Sequence, residues 1–118
     1  MERTRSTLAA GDRLLDQRDA DPRLGTDPAW AAAYGGTVDA LDAEYRSTLG
    51  LSPGRADGEL HACVTESLRL LSTGHALLRE GFQADGHRAY NRSSHGNWDV
   101  NLGVIRLRSC EAMAQTAG

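Results

Sequence analysis

Apolar positions recur along this chain with the spacing of helices, most clearly from Asp57 to Phe82. At about 100° per residue, Leu60, Val64, Leu68, Leu71, Leu78 and Phe82 fall on one face. Cys63, Ser67, Leu70, Gly74 and Leu77 widen that face, and Glu66, Arg69, Thr73 and Glu80 lie opposite. A stripe this broad predicts a central helix covered by several neighbours. Residues 3–19 predict a first helix with Leu8, Gly11, Leu14 and Leu15 on a narrow apolar side. Its charges oppose the helix dipole, Arg3 and Arg5 near the start and Asp16 and Asp19 near the end, so packing must hold it.

The second helix has a start signal, Asp27 as N-cap and Pro28 at the first helical position, followed by Trp30, Tyr34, Val38, Leu41 and Tyr45. Gly35 and Gly36 interrupt it, which predicts a close helix contact or a kink. GLSPGRAD forms a turn before the central helix. The last helix is expected from Asn97 to about Gln115. Trp98, Leu102, Ile105, Ser109, Ala112 and Met113 form one face, and Val100, Val104 and Leu107 a second, nearly opposite. Two apolar faces in so small a chain imply self-association, so Val100, Val104 and Leu107 are the expected homodimer contact. VNLGVIRLR also alternates like a strand, but a lone strand has nothing to pair with, and helix is preferred. The expected fold is an all-α, four-helix up-and-down bundle, one domain over residues 1–118, with a long polar loop at 83–96 before the last helix.

Composition narrows the classes. The chain has 118 residues, 40% of them hydrophobic and 25% charged, which argues against disorder. No apolar run reaches the roughly 18 residues of a membrane span, and the N-terminus lacks a signal-peptide core, so a cytoplasmic protein is expected. All 13 basic residues are arginine. Residues 1–59 carry 11 acids and 7 arginines, and residues 60–118 carry 5 and 6. Net charges of −4 and +1 are too small for a polyanion surface, which disfavours duplex DNA but leaves a single strand at an arginine cluster open. Cys63 and Cys110 belong to no CxxC pattern and suggest neither zinc nor a disulfide framework.

Candidate chemistry gathers in residues 83–98. Helix connections in bundles are typically about 2–8 residues, and longer ones tend to be functional. Arg88, Arg92 and His95 place guanidinium groups and an imidazole within one short segment, parts suited to holding a phosphate and moving a 2′-hydroxyl proton. The plainer reading is a solvated polar loop that caps the last helix. His87, Tyr90, Trp98 and Asp99 are candidate ligand contacts. His75 lies inside the central stripe, where the ordinary reading is a core histidine hydrogen-bonded to Tyr34 or Tyr45. No Glu/His pair shows the i, i+3 or i, i+4 spacing of a di-iron bundle, Asp85, His87 and His95 lack a fixed zinc spacing, and no metal or cofactor is expected.

The run from Tyr90 to Leu102, with Asn91, His95, Gly96, Trp98 and Asp99, resembles the active-site segment of HEPN domains. These are small all-helical ribonucleases found as toxins beside nucleotidyltransferase antitoxins. The resemblance implies His95 as general base, Asn91 as a positioning residue, dimerisation, and an antitoxin protein or single-stranded RNA as partner. The family arginine just before Asn91 is Tyr90 here, so Arg88 or Arg92 would have to replace it. Without that arginine the fold would bind RNA or nucleotide without cutting it. Two readings lead: an interaction or ligand-binding module, homodimeric and using 83–98, and a HEPN-like, metal-independent ribonuclease. A third is a small-molecule enzyme with a pocket at His75, Trp30 and Tyr34.

Overall fold

The computed structural model describes residues 2–117 except 53, 55, 56, 84 and 85, and for 86–88, 90 and 117 it describes the backbone alone. Four helices follow one another: α1 (Glu2–Ala20), α2 (Pro28–Leu49), α3 (Gly58–Gln83) and α4 (Gly86–Ala117), with a short 3-10 turn at Pro22–Thr26. Among the described residues there is no strand, and 100–108 is helical. Successive helices run antiparallel. Thr4 meets Glu44 and Trp30 reaches Leu14 across α1 and α2, Tyr34 meets His75 across α2 and α3, and Cys63 meets Cys110 across α3 and α4.

Local chemistry accounts for the boundaries. The Asp27 carboxylate accepts from the Ala29 and Trp30 amides, and Pro28 supplies a preset φ at the first helical position. The Asp21 carboxylate caps the 3-10 turn in the same way, accepting from the Arg23 amide. The N-terminal arginines of α1, set against its dipole, are held by carboxylates on other helices, Arg3 by Glu44 and Arg5 by Glu111. Two core clusters fill the bundle. Trp30, Tyr34, Val38 and Leu78 form one, and Leu41, Leu71 and Leu107 the other.

α3 and α4 share the most extensive contact in the molecule. Small residues recur every seventh position on both, Ser67, Gly74 and Gly81 on α3 and Ala89, Gly96, Gly103 and Cys110 on α4. A Cβ on Gly74 would lie 2.9 Å from the Gly96 carbonyl oxygen, and one on Gly96 would lie 2.7 Å from that of Gly74. Gly103 leaves the same kind of gap for Leu71, where a Cβ would be 2.9 Å from Cγ. The backbones therefore touch, as small residues allow wherever they line a helix interface.

Four expectations need correction. The segment 86–96 is not a loop but the first turns of α4, because Ser93 and Gly96 pack against Gly81 and Leu78 of α3 and tertiary contact overrides weak local propensity. Cys63 and Cys110 form a disulfide, brought together by the α3–α4 register rather than by any sequence motif. Val100, Val104 and Leu107 are not a free face. Leu107 is buried in the second core cluster, with Val100 and Val104 packed against it. At Gly35 and Gly36 it is the close-contact alternative that fails: a Cβ on Gly36 would meet nothing within 4 Å, and one on Gly35 would lie 3.7 Å from Arg79 Nη1.

The seam makes a paired prediction. Gly96→Ala should destabilise the fold by about 2 kcal/mol, because backbone atoms of α3 must give way. Gly36→Ala should stabilise it by about 1 kcal/mol. Reducing the disulfide, whose cysteines are 47 residues apart, should cost about 4 kcal/mol on the loop-closure estimate. Urea denaturation of the three forms measures all of these effects.

Candidate functional site

α4 carries the residues singled out between 83 and 98, and its helical geometry decides which of them meet. Asn91 and His95 are one turn apart on the exposed face, and Trp98 follows on the same stripe, 72% exposed. Leu102 is half-buried on that stripe, and Ile105 continues it at 58% exposure. Arg92 projects toward α3, where its Nε lies 3.5 Å from a Glu80 carboxylate oxygen. Asp99 is half-buried, and its charge reaches Arg69, the partner of Glu66 on α3. The Arg69 guanidinium holds Glu66 below the usual carboxylate range. The side chains of Arg88, His87 and Tyr90 lie outside the described residues.

Helix formation thus brings Asn91, His95 and Trp98 together on an open surface. It turns Arg92 partly aside into an ion pair. An imidazole and an amide on one exposed face can hydrogen-bond a ligand, and Trp98 offers a flat ring for stacking or packing. Among the described residues, no group of three or more His, Cys, Asp and Glu stands together as a metal site.

His75 belongs to a different environment. Its ring is fully buried, with Nδ1 2.6 Å from the Tyr34 hydroxyl. With the phenol donating to Nδ1, the ring proton sits on Nε2, which has no hydrogen-bond partner among the described residues. Burial pushes the imidazole down from its ordinary 6.5 to about 4, so it is neutral near pH 7. Burial also raises the Tyr34 phenol well above its usual value, while Arg79 and Asp12 act on it in opposite directions. Trp30 stacks on Tyr34 with ring centroids 5.4 Å apart, and Phe82 packs edge-on against Trp30. These rings fill the space the third reading required for a pocket at His75, Trp30 and Tyr34, so the cluster is packed core.

Two features escaped the sequence reading. The disulfide was hidden because its cysteines are far apart in sequence and meet only through the helix register. A small recess where α1 meets the upper parts of α3 and α4, lined in part by Arg18, Asp19, Ser93 and Asn97, draws its residues from three helices. No linear spacing marks such a set.

The buried imidazole predicts a pH dependence. Its folded pKa lies below the unfolded value, so the unfolded chain takes up the proton first as pH falls. The stability tied to neutral His75 is therefore complete above about pH 6.5 and is lost progressively toward pH 4, by roughly 3 kcal/mol in total. His75→Leu should flatten denaturation midpoints across that interval, and an unchanged slope would contradict the assignment.

Comparison of the chain with known protein families, curated proteins and solved structures finds no match.

Proposed function

We propose that this chain is a self-associating helical interaction module whose contact surface is the outer stripe of α4. The observation that carries this reading is Trp98, 72% exposed, in line with Ile105, 58% exposed, on a helix whose opposite face is already consumed by the core. The stripe from Asn91 through Ser94, His95, Trp98, Asn101, Leu102, Ile105 and Ser109 to Ala112 contains no acid and no arginine. Asp99 and Arg106 flank it on one side and Arg108 on the other. Exposed tryptophan within a low-charge patch rimmed by polar residues has the composition of a protein contact.

The stripe is also self-complementary. Two copies of α4 laid antiparallel about Leu102 set each Trp98 against the other copy's Arg106, with Asp99 beside that guanidinium. An aromatic ring and a carboxylate then meet one arginine at each end of an isologous contact.

The second reading, a HEPN-like ribonuclease, draws support from Asn91 and His95 standing one turn apart on the exposed face. His95 would act as general base on a 2′-hydroxyl, with single-stranded RNA as substrate and an antitoxin protein as regulator. The pairing of Arg92 with Glu80 counts against it, because a phosphate would have to displace that carboxylate.

Sedimentation equilibrium at micromolar concentration should give twice the chain mass for the wild type and one chain mass for Trp98→Asp and Ile105→Asp, with unchanged helical circular dichroism. A monomeric wild type, or a dimer that survives both substitutions, would end the proposal. Expressing wild type and His95→Ala in cells separates the readings. The module leaves RNA intact in both, whereas the ribonuclease degrades RNA only with His95 present.

A further inference from the structure

Three larger openings carry charged or polar groups of their own. The groove of about 430 Å³ between α1, α2 and α3 surrounds Glu44, whose carboxylate already meets Arg3, Thr4 and Thr7. The groove of about 230 Å³ between α1 and α4 contains the Arg5–Glu111 ion pair. The opening of about 510 Å³ at the α2–α3 turn has Asp57 as its one carboxylate and no arginine among its described lining residues.

A smaller recess, about 200 Å³, differs in kind. Leu15, Leu78 and Phe82 form apolar walls, and Arg18, Asp19, Ser93 and Asn97 supply charge and hydrogen-bonding groups. The guanidinium carbon of Arg18 sits 4.0 Å from the centre of the Phe82 ring. Gly25 keeps space for it, since a Cβ there would lie 3.0 Å from Nε. Arg18 Nε is buried and has no hydrogen-bond partner among the described residues. The contrast with other arginines is informative. Among the described residues, Arg3, Arg5, Arg23, Arg46, Arg69, Arg79 and Arg92 each lie within 4 Å of a carboxylate, and Arg13, Arg106 and Arg108, which form no ion pair, are exposed. Arg18 is instead half-buried with no carboxylate partner among the described residues, and Asp19 enters no ion pair there either.

A half-buried cation seated on an aromatic ring at the wall of a recess is suited to a carboxylate, and the unengaged acid beside it to an ammonium. The recess is smaller than the pockets that take drug-sized molecules. We propose that it binds a small zwitterion with an apolar tail, an α-amino acid of the leucine type. Arg18 receives the carboxylate with help from Ser93 and Asn97, Asp19 receives the ammonium, and the tail lies among Leu15, Leu78 and Phe82. Self-association through Trp98 is not required for this site.

The test is a titration of the folded protein by amide NMR shifts with three probes: L-leucine, 4-methylpentanoate, which lacks the ammonium, and 3-methylbutylamine, which lacks the carboxylate. Leucine should shift Ser93 and Asn97 saturably, with each half-analogue at least about tenfold weaker. Arg18→Gln should weaken leucine by about tenfold, Asp19→Asn should bring leucine and 4-methylpentanoate to equal affinity, and Asn97→Leu should block the recess. Asp19 and Asn97 are exposed, so these two variants stay informative if Arg18→Gln fails to fold. No saturable response at millimolar leucine, equal binding of the three probes by the wild type, or a response unchanged in Asp19→Asn and Asn97→Leu would overturn the proposal. The same titration on Trp98→Asp should give the same affinity, which keeps this result separate from the fate of the dimer.

Discussion

Because Gly74 and Gly96 carry no side chains, α3 and α4 meet backbone to backbone, each placing its carbonyl oxygen within 2.9 Å of where the other's Cβ would stand. Everything else is arranged around that contact. The seventh-residue recurrence of small groups fixes the register, and the register brings Cys63 to Cys110 at a Cα separation of 5.7 Å. It also aims Leu71, Leu78, Val100 and Leu107 toward the remaining helices, giving α1 and α2 an apolar floor to cover. α1 depends on that floor most, since its own charges oppose its dipole and carboxylates on α2 and α4 hold its arginines.

Much of this fold was legible from hydrophobic spacing. Asp27 and Pro28 marked the start of α2, and the wide stripe of Leu60 to Phe82 marked α3 as the central helix. Tyr34 was one of two expected partners of His75 and is the partner the structure shows. The failures have a common cause. Residues 83–96 lack apolar periodicity, so they read as a loop, although Ala89, Ser93 and Gly96 are the small residues that let α4 lie against α3. Smallness is a packing signal, and a search for hydrophobic stripes passes over it. Reading Ser67, Gly74 and Gly81 together with Ala89, Gly96, Gly103 and Cys110 would have found both the longer helix and the cysteine pair.

The same error inverted the surface of α4. Spacing alone shows two nearly opposite apolar faces on this helix and not which one the bundle covers, so the second face, Val100, Val104 and Leu107, was expected as the dimer contact. The close approach to α3 turns Val100, Val104 and Leu107 inward and leaves Trp98 and Ile105 in solvent. The candidate chemistry moved with them. Asn91 and His95 came to share an exposed helical face, Arg92 went to Glu80, and Ser93 and Asn97 turned toward Arg18. The disulfide also bears on compartment, because such bonds persist mainly where thiols are oxidised. Among the described residues no helix is long and apolar enough to cross a membrane.

Native-state hydrogen exchange tests the central place of the α3–α4 seam most directly. Amides of Leu68–Leu78 and Gly96–Leu107 should exchange only through global unfolding, while those of α1 should exchange through a lower-energy partial opening that leaves the α3–α4 pair intact. If α4 amides exchange before those of α1, or if all four helices open together with equal free energy, the seam is not the element on which the rest of the structure is built.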